Sequence, residues 1–378
     1  MSHFCLLADP ANYTVGDVDL LADADGRAYW LGLFEEHFGQ VLESAKTAYG
    51  RTHGRQIAQA GSDFAEAIAA LRADPAAAVD GTLGVIELCR LREKALRTHD
   101  LHDPFRHVKQ RENRQAADAY PHLVQRLGAL PTEERWDLLF RGVFAGNIFD
   151  LGSPATMGYA SDQVDFDKAI GDLKPRPWLI DDFDALLDIL PIAGGEPAPW
   201  AKAVILVDNA GADFVLGVMP LARQLASHGT QIVLAANEKP SLNDITVDET
   251  IQLVEALTEA DDELASYLAA GLFEVVSTGN DIPLIDLSEV ADELNAAAED
   301  ADLLIVEGMG RTVESNLETA FAVDAIHLCL LKDAAVAARV DGEVFDCVCA
   351  YRPIEIEDDA QTEGDEDAGE DASDDPRP

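Results

Sequence analysis

Apolar residues recur at intervals of three and four positions through much of the first half of the chain, as on one face of an α-helix. Between Arg27 and Tyr49 these positions are Trp30, Leu31, Phe34, Phe38, Val41 and Leu42. Short polar, Pro or Gly breaks separate further predicted helices at Gln56–Leu71, Thr82–Leu96, Asp103–Tyr120, Thr132–Phe144 and Trp178–Leu190. The Gly- and Pro-rich segment Ile192–Pro199 is then typical of a linker.

After this linker, short and continuous apolar runs alternate with helical stretches. The predicted strands are Ala203–Val207, Gln231–Ala235, Leu272–Ser277, Leu303–Val306, Ile326–Leu331 and Val344–Tyr351. The predicted helices between them are Ala212–Ser227, Val247–Leu257 and Leu287–Ala298. Such a pattern indicates a parallel sheet covered on both faces, and right-handed crossovers make it Rossmann-like. We therefore expect an α/β fold with three parts: a mainly helical region (1–195), an α/β/α domain (196–354) and a disordered acidic tail (355–378).

The composition is that of a globular protein, with 378 residues of which 48% are apolar and 26% charged. A formal net charge of -44 disfavours binding to nucleic acid or to an anionic membrane. The acidity fits either a salty cytoplasm or an ordinary acidic bacterial protein. No secretory signal, membrane span or Cys-x-x-Cys pair is recognisable, so we expect a cytoplasmic protein.

Oxygen-bearing side chains follow two of the predicted strands. Asp208 and Asn209 come after the first strand, and Asn243 and Asp244 come a few residues after the second. Because the carboxyl ends of parallel strands share one edge, these side chains should lie close together. Carboxylate and amide oxygens favour Mg²⁺ or Mn²⁺, so Asp208, Asn209 and Asp244 are predicted metal ligands.

Groups suited to a phosphate are predicted at the same edge. Gly211 permits close backbone approach beside a helix that begins near Ala212, and such a helix start favours anions. Arg311 and Lys332, each after its own strand, supply positive charge. The simpler alternative is that Asp208–Asn209 and Asn243–Asp244 form turns or helix caps and that Lys332 is solvated.

Further runs carry polar residues within helical or apolar surroundings. They are Lys109-Gln110-Arg111-Glu112-Asn113 and Ala145-Gly146-Asn147-Ile148-Phe149-Asp150-Leu151-Gly152. Taken alone, the first run is more typical of a solvated helix face and the second of a helix cap.

Together these motifs resemble the metal-dependent damage-control phosphatase family, once catalogued as a domain of unknown function. The resemblance rests on residues 207–213, 234–244, 307–311, 103–105, 109–113, 145–152 and 331–333. The run Glu307-Gly308-Met309-Gly310-Arg311 is similar to the signature of its second subfamily, which includes an animal pantothenate kinase-like fusion and stand-alone plant proteins.

The resemblance implies a helical region on an α/β/α domain with a divalent ion (Mn²⁺, Co²⁺, Ni²⁺ or Mg²⁺) in the cleft. It places the metal on Asp208, Asn209 and Asp244 and the catalytic groups at Asp208, Asp244 and Lys332. The implied substrate-binding residues are Gly211, Asn243, Glu307, Arg311, Lys332, Glu112, Asn113, Asn147 and Asp150.

The resemblance also implies hydrolysis of a small phosphomonoester, either 4′-phosphopantetheine and its damaged forms or a sugar phosphate. Attack by metal-activated water is favoured over a phospho-aspartate at Asp208, because a metal ligand is poorly placed to act as nucleophile. Two other functions stay open: an S-adenosylmethionine-dependent carboxyl methyltransferase, and a metabolite-binding protein without catalysis.

Overall fold

One mixed sheet lies at the centre of the computed structural model, which describes residues 1–149, 165–192 and 195–354. Its strands in this part of the chain are β1 (Ile180–Asp181), β2 (Lys202–Leu206), β3 (Gln231–Ala236), β4 (Phe273–Ser277), β5 (Leu303–Glu307), β6 (Asp324–Leu330) and β7 (Cys347–Arg352). They lie in the order β1-β7-β6-β5-β2-β3-β4, and the five strands from β6 to β4 are parallel. The predicted α/β fold is thereby confirmed.

Helices and helical segments cover the sheet. In the described residues the α-helices are α1 (Ala24–Tyr49), α2 (Gly54–Ala73), α3 (Pro75–Ala78), α4 (Val85–Arg97), α5 (Arg106–Ala129), α6 (Thr132–Asn147), α7 (Phe166–Asp172), α8 (Phe183–Leu187), α9 (Met219–Ser227), α10 (Val247–Leu257), α11 (Asp262–Ala269), α12 (Asp292–Ala298) and α13 (Ala334–Ala338). A short 3₁₀ turn (Arg51–His53) and two π-helical segments (Asp213–Val218 and Gly310–Glu314) complete the set.

The apolar core is divided by the two faces of the sheet. On β2, Ile205 packs in the cluster that contains Phe144 of α6, whereas its neighbour Leu206 packs in the cluster that contains Leu294 of α12. This alternation follows from the two-residue period of a strand. A third cluster joins α1, α2 and α4 to residues just beyond the strand ends, including Met309 and Leu331. The helical first part of the chain thus reaches the edge where ligands bind in parallel sheets.

The far edge of the sheet differs from the expected all-parallel arrangement. β7 runs antiparallel to β6, and β1 pairs with β7 in parallel. The predicted helix Trp178–Leu190 is wrong in its first part, because Leu179 and Asp182 donate backbone hydrogen bonds to β7 there. Apolar spacing carries no information about a distant strand that offers free backbone acceptors.

Other predicted helices change in extent. α6 begins at Thr132 as predicted, with acidic residues in its first turn. The predicted helix Ala212–Ser227 divides into a π-helical first part and α9, and the predicted helix Leu287–Ala298 begins only at Asp292. The predicted division at residue 195 stays a prediction. Residues 355–378 lie outside the described part of the chain.

None of the helices described here combines the length and the apolar character needed to cross a bilayer.

Candidate metal and phosphate site

Backbone hydrogen bonds join the loop after β2 to the loop after β3. Ala210 N–H donates to the Asn243 carbonyl at 2.9 Å, and Ile245 N–H donates to the Asp208 carbonyl at 3.0 Å. Asn209 and Asp244 form an isolated antiparallel bridge between these bonds. Asp208, Asn209 and Asp244 therefore lie side by side, although 36 positions separate Asp208 from Asp244 in the sequence. All three residues are buried.

A single cation, the Arg311 guanidinium, bridges the two buried carboxylates. Its Nη1 donates to Asp208 Oδ1, and its Nη2 lies 3.0 Å from Asp244 Oδ2. Asn237, which directly follows β3, holds Asp244 Oδ2 from another side at 2.8 Å. Because one cation reaches both Asp208 and Asp244, their oxygens converge, as a shared metal requires.

The amide of Asn209 is oriented to supply a further oxygen. Its Nδ2 donates to Asp208 Oδ2 and to Asp213 Oδ2, both at 2.8 Å. The Oδ1 atom consequently faces away from these carboxylates, and within the described ranges it accepts no hydrogen bond. The residues present thus fit a hard divalent cation, with two carboxylates and one amide oxygen as donors.

Two further acidic residues, Asp213 and Glu307, lie behind Asp208. Together with Asp208, Asn209 and Asp244 they form what we call the rim. Asp208 N–H donates to Glu307 Oε2 at 2.9 Å, and Asn147 Nδ2 donates to both Glu307 and Asp213 at 2.9 Å. The carboxylates of Asp208, Asp213 and Glu307 lie within 4.8 Å of one another, in an arrangement that could also hold a metal ion.

Burial, reinforced by the Asp213 carboxylate, raises the pKa of Glu307 well above its ordinary value. The positive charge of Lys332 acts in the opposite direction and lowers the pKa of Glu307, so the Lys332 ammonium lies near the same rim. Glu307 therefore retains a proton at higher pH than an exposed glutamate does.

Two glycines are required where loops approach the rim. Gly308 has φ +95°, and a Cβ there would lie 2.4 Å from Asp208 Cγ. Gly211 has φ +77°, and a Cβ there would lie 2.9 Å from Glu112 Cβ. A larger residue at either position would strain the backbone and displace a side chain of the site.

The backbone amides around Gly211 already have acceptors. Gly211 N–H donates to Asn113 Oδ1 at 2.7 Å, and the N–H groups of residues 208 and 210 donate to Glu307 and Asn243. The predicted anion contact at Gly211 therefore needs these bonds to open. In this structure the Gly211 N–H instead ties the site to α5.

The residues predicted on the helical side lie at the rim, except one that falls outside the described residues. On α5, Asn113 accepts a hydrogen bond from the Gly211 N–H, and Glu112 lies next to Gly211. At the end of α6, Asn147 donates a hydrogen bond to Glu307. The solvated-face alternative is wrong for Lys109 and Glu112, which are 0% and 7% exposed. Asp150 belongs to the residues that the structure does not describe.

The rim opens into a pocket lined by Asp208, Asn209, Asn243, Asp244 and Lys332. Lys332 is buried, so the simpler alternative of a solvated lysine is wrong. Asn243 is 1% exposed, and among the residues that the structure describes neither its Oδ1 nor its Nδ2 has a hydrogen-bond partner. An unsatisfied buried amide is costly, so its place on the pocket wall points to a ligand contact.

The capping alternative for the second loop is wrong. α10 is capped by Thr246, whose side chain and the Glu249 side chain form a capping box. Asn243 and Asp244 are thereby released from any role at the start of that helix.

Sequence reasoning missed Asp213 and Asn237 as members of the site. Asn237 directly follows β3, and Asp213 closes the polar run after β2. Asp208 was predicted because it follows the carboxyl end of a strand, and the same criterion applies to Asp213 and Asn237. Applying it to every polar residue in the loops after β2 and β3 would have included both.

Comparisons with known proteins point to one family. A profile described as Damage-control phosphatase ARMT1-like domain matches residues 34–348. A damage-control phosphatase of Arabidopsis thaliana is 42% identical, covering 71% of this chain and 72% of its own length. Pantothenate kinase 2 of the same plant is 36% identical, covering 93% of this chain. The 4′-phosphopantetheine phosphatase of Mus musculus is 29% identical, covering 92% of this chain.

This chain spans 42% of the length of the plant kinase relative and 48% of the mouse relative. Among solved structures, a DUF89 family protein from Pyrococcus horikoshii superimposes with a TM-score of 0.60 at 18% identity. That match covers 85% of this chain and 96% of the other, and it supports the fold. By the match across residues 34–348, the chain belongs to the ARMT1-like damage-control phosphatase family.

Proposed function

We propose that this protein is a divalent-metal-dependent phosphatase of small phosphomonoesters. The observation that carries the proposal is the convergence of Asp208 and Asp244 on one cation, beside the Asn209 amide oxygen and the buried Lys332. Hard oxygen donors next to a desolvated lysine suit a metal-bound phosphate. The names of the Arabidopsis and mouse relatives support the same activity.

Asp208, Asn209 and Asp244 would hold the metal, which when bound supplies a Lewis acid and lowers the pKa of a coordinated water. Both Asp208 oxygens already have partners, with Arg311 at Oδ1 and Asn209 at Oδ2. That engagement favours water over Asp208 as the nucleophile. The specific ion, Mn²⁺, Co²⁺, Ni²⁺ or Mg²⁺, is part of the proposal.

Lys332 and Arg311 supply the positive charge that a phosphoryl group needs. Both side chains are buried, so their charges act through a medium of lower dielectric than water. In a protein of net charge -44, these two cations together with the metal would offset the surrounding carboxylates and so allow an anion to bind. Asn147 and Asn237 hold the carboxylates in place and so keep the rim preorganised.

The proposed substrate is 4′-phosphopantetheine or a damaged derivative, following the printed name of the mouse relative. Sugar phosphates are the alternative. The assignment to the second subfamily, based on the Glu307–Arg311 run, stays a prediction, as does the acidic tail's lack of structure.

The test is phosphate release from 4′-phosphopantetheine by the full chain, stripped of metal and then given Mn²⁺, Co²⁺, Ni²⁺ or Mg²⁺, with and without chelator. We expect release that depends on metal, is abolished by chelator and is lost in Asp244→Asn. The matched control is Asp300→Asn, an exposed acidic residue outside the pocket. Release that ignores chelator, or an Asp244→Asn variant as active as the control, would refute the metal assignment.

The same assay separates the other functions that the sequence left open. A methyltransferase would bind S-adenosylmethionine without metal and release no phosphate. A silent binding protein would bind the phosphomonoester without turning it over.

A further inference from the structure

The pocket has a second wall that the proposed chemistry does not use. It is built by α1, α4, the π-helical segment Gly310–Glu314 and neighbouring loops, and it is mainly apolar. Its apolar residues include Trp30, Leu33, Phe34, Val85, Leu242 and Leu284. Among its polar side chains are Arg92 of α4 and Glu314. We call Arg92, Glu314 and these apolar residues the helical wall.

Arg92 is held in place by two side chains and keeps one donor group that has no partner among the residues described. The residue is 3% exposed, its Nε donates to Glu93 Oε1 at 2.9 Å and its Nη2 donates to Ser241 Oγ at 3.2 Å. The guanidinium carbon lies 5.8 Å from the centre of the Phe34 ring. Within the described ranges, Nη1 has no acceptor, so a fixed guanidinium presents one unused edge in a residue that lines the pocket.

Glu314 is a second polar side chain with unused hydrogen-bonding groups in the described part of the chain. It is 6% exposed and lines the pocket, yet in residues 1–149, 165–192 and 195–354 its carboxyl makes neither a hydrogen bond nor an ion pair. Because Glu314 lines the pocket, a ligand bound there could supply the hydrogen bonds that its carboxyl does not make within these residues.

The surroundings of Glu314 favour its neutral form. Burial, followed by the Asp333 carboxylate, raises the pKa of Glu314 to about 8. Asp17 acts in the same direction, whereas Arg339 and Lys332 act against it. At neutral pH the carboxyl is mostly protonated and offers both an O–H donor and a carbonyl acceptor.

We propose that Arg92 and Glu314 are specificity-determining residues, which bind an uncharged polar group such as an amide in the organic part of the substrate. The carbonyl of such a group would accept from Arg92 Nη1, and Glu314 would bond the same or an adjacent polar group. This inference rests on the proposed phosphatase function for the phosphate end, but it concerns the other end of the substrate.

Charge and polarity at the helical wall select this class of group. Arg92 is paired with Glu93, and Asp333 lies beside Glu314, so the wall has no excess positive charge for a second phosphate. Its apolar side chains would leave most hydroxyls of a sugar ring without partners. A chain that is mostly apolar with one or two amides satisfies both conditions.

The experiment uses pantetheine, which lacks the phosphate and so reports on the organic end alone. Calorimetric titration of the full chain compares wild type with Glu314→Leu, Arg92→Lys and Glu314→Gln, and with Glu318→Leu as an exposed control on the same stretch of chain. We expect Glu314→Leu and Arg92→Lys to weaken pantetheine binding about tenfold, from the loss of a buried hydrogen bond. Glu314→Gln should bind several times more tightly than Glu314→Leu, since an amide keeps a donor and an acceptor.

Steady-state kinetics give a second readout. For 4′-phosphopantetheine, Glu314→Leu should raise KM by about the same factor, with a smaller effect on kcat. Inhibition by inorganic phosphate, which needs only the metal and Lys332 end, should keep its wild-type constant. Thermal denaturation checks that each variant is folded.

Several results would overturn the proposal. They are wild-type protein that does not bind pantetheine, equal pantetheine binding by all variants, and equal weakening of pantetheine and phosphate in Glu314→Leu. Failure of the phosphatase function appears separately, as the absence of metal-dependent phosphate release from wild type. In that case, pantetheine binding by wild type and variants still tests whether Arg92 and Glu314 bind the organic part of the substrate.

Discussion

The two walls of the pocket are built in different ways. At the sheet rim, Asp208, Asp244 and Glu307 are buried acidic side chains whose oxygens are held by Arg311 and by neighbouring amides. At the helical wall, apolar side chains surround Arg92 and Glu314, and within the described part of the chain these two have unused hydrogen-bonding capacity.

This contrast suggests a division of labour within one pocket. A preorganised rim can stabilise charge without rearranging, which is what a phosphoryl transfer needs. A mainly apolar wall with few polar groups favours ligands of matching shape and hydrogen bonding. If the division is real, changes at the rim should abolish turnover, and changes at the helical wall should alter affinity.

The largest expected effect tests the rim. Asp244→Ala removes a proposed metal ligand and one of the two carboxylates that Arg311 bridges, so phosphate release should fall by about a thousandfold or more. Circular dichroism should show an unchanged fold. Activity within tenfold of wild type at saturating Mn²⁺ would remove Asp244 from the metal site.

Metal binding should also stabilise the rim. A ligand at a hundred times its dissociation constant raises the free energy of unfolding by about 2.7 kcal/mol. Added Mn²⁺ should therefore raise the Tm of wild type and leave that of Asp244→Ala nearly unchanged. Equal shifts in both proteins would place the ion somewhere other than the rim.

The close approach of Gly308 to Asp208 gives a third test. Gly308→Ala should lower the free energy of unfolding by about 1–3 kcal/mol, because of its positive φ and the close contact with Asp208. The matched control is Gly128→Ala in α5, where a Cβ meets nothing within 4 Å. That change should be neutral or stabilise by up to about 1 kcal/mol. Denaturant unfolding measures both, and equal effects would show that the rim tolerates a side chain at Gly308.

The last test concerns Glu314 at the helical wall, where the expected change within one pH unit is small. Because its folded pKa of about 8 lies above that of an unfolded glutamate, the folded state binds the extra proton between these values. Its contribution to stability is complete below the unfolded pKa, and it is lost as pH rises towards 8. Glu314→Gln should remove this loss, which amounts to at most about 1.4 kcal/mol per pH unit.

Urea unfolding of both proteins at several pH values between 5 and 8 measures that difference. Glu307 titrates in both proteins, so comparing them isolates Glu314. The exposed Glu318→Gln variant should follow the wild-type curve. A Glu314→Gln curve that runs parallel to wild type would mean that Glu314 is charged in the folded protein.

The rim was largely predictable, whereas the helical wall was not. Strand ends in a parallel sheet share an edge, so the apolar runs before Asp208, Glu307 and Lys332 were enough to place these residues at one site. Arg92 had no comparable signal, since a helical arginine in a charged run is usually solvated. Its burial depends on how α4 packs against the loop that carries Ser241.

Local pattern by itself determined the central parallel strands, the start of α6 at Thr132 and the oxygen-rich loops after β2 and β3. These features follow from interactions between residues close together in the chain, and apolar periodicity records such interactions. Only the tertiary structure decided the reversed edge with β1 and β7, the ion pairs of Arg311 and the placement of Glu314 on the pocket wall without a partner among the described residues. Each of these depends on which distant groups come within hydrogen-bonding distance, and residue spacing along a chain does not encode that distance.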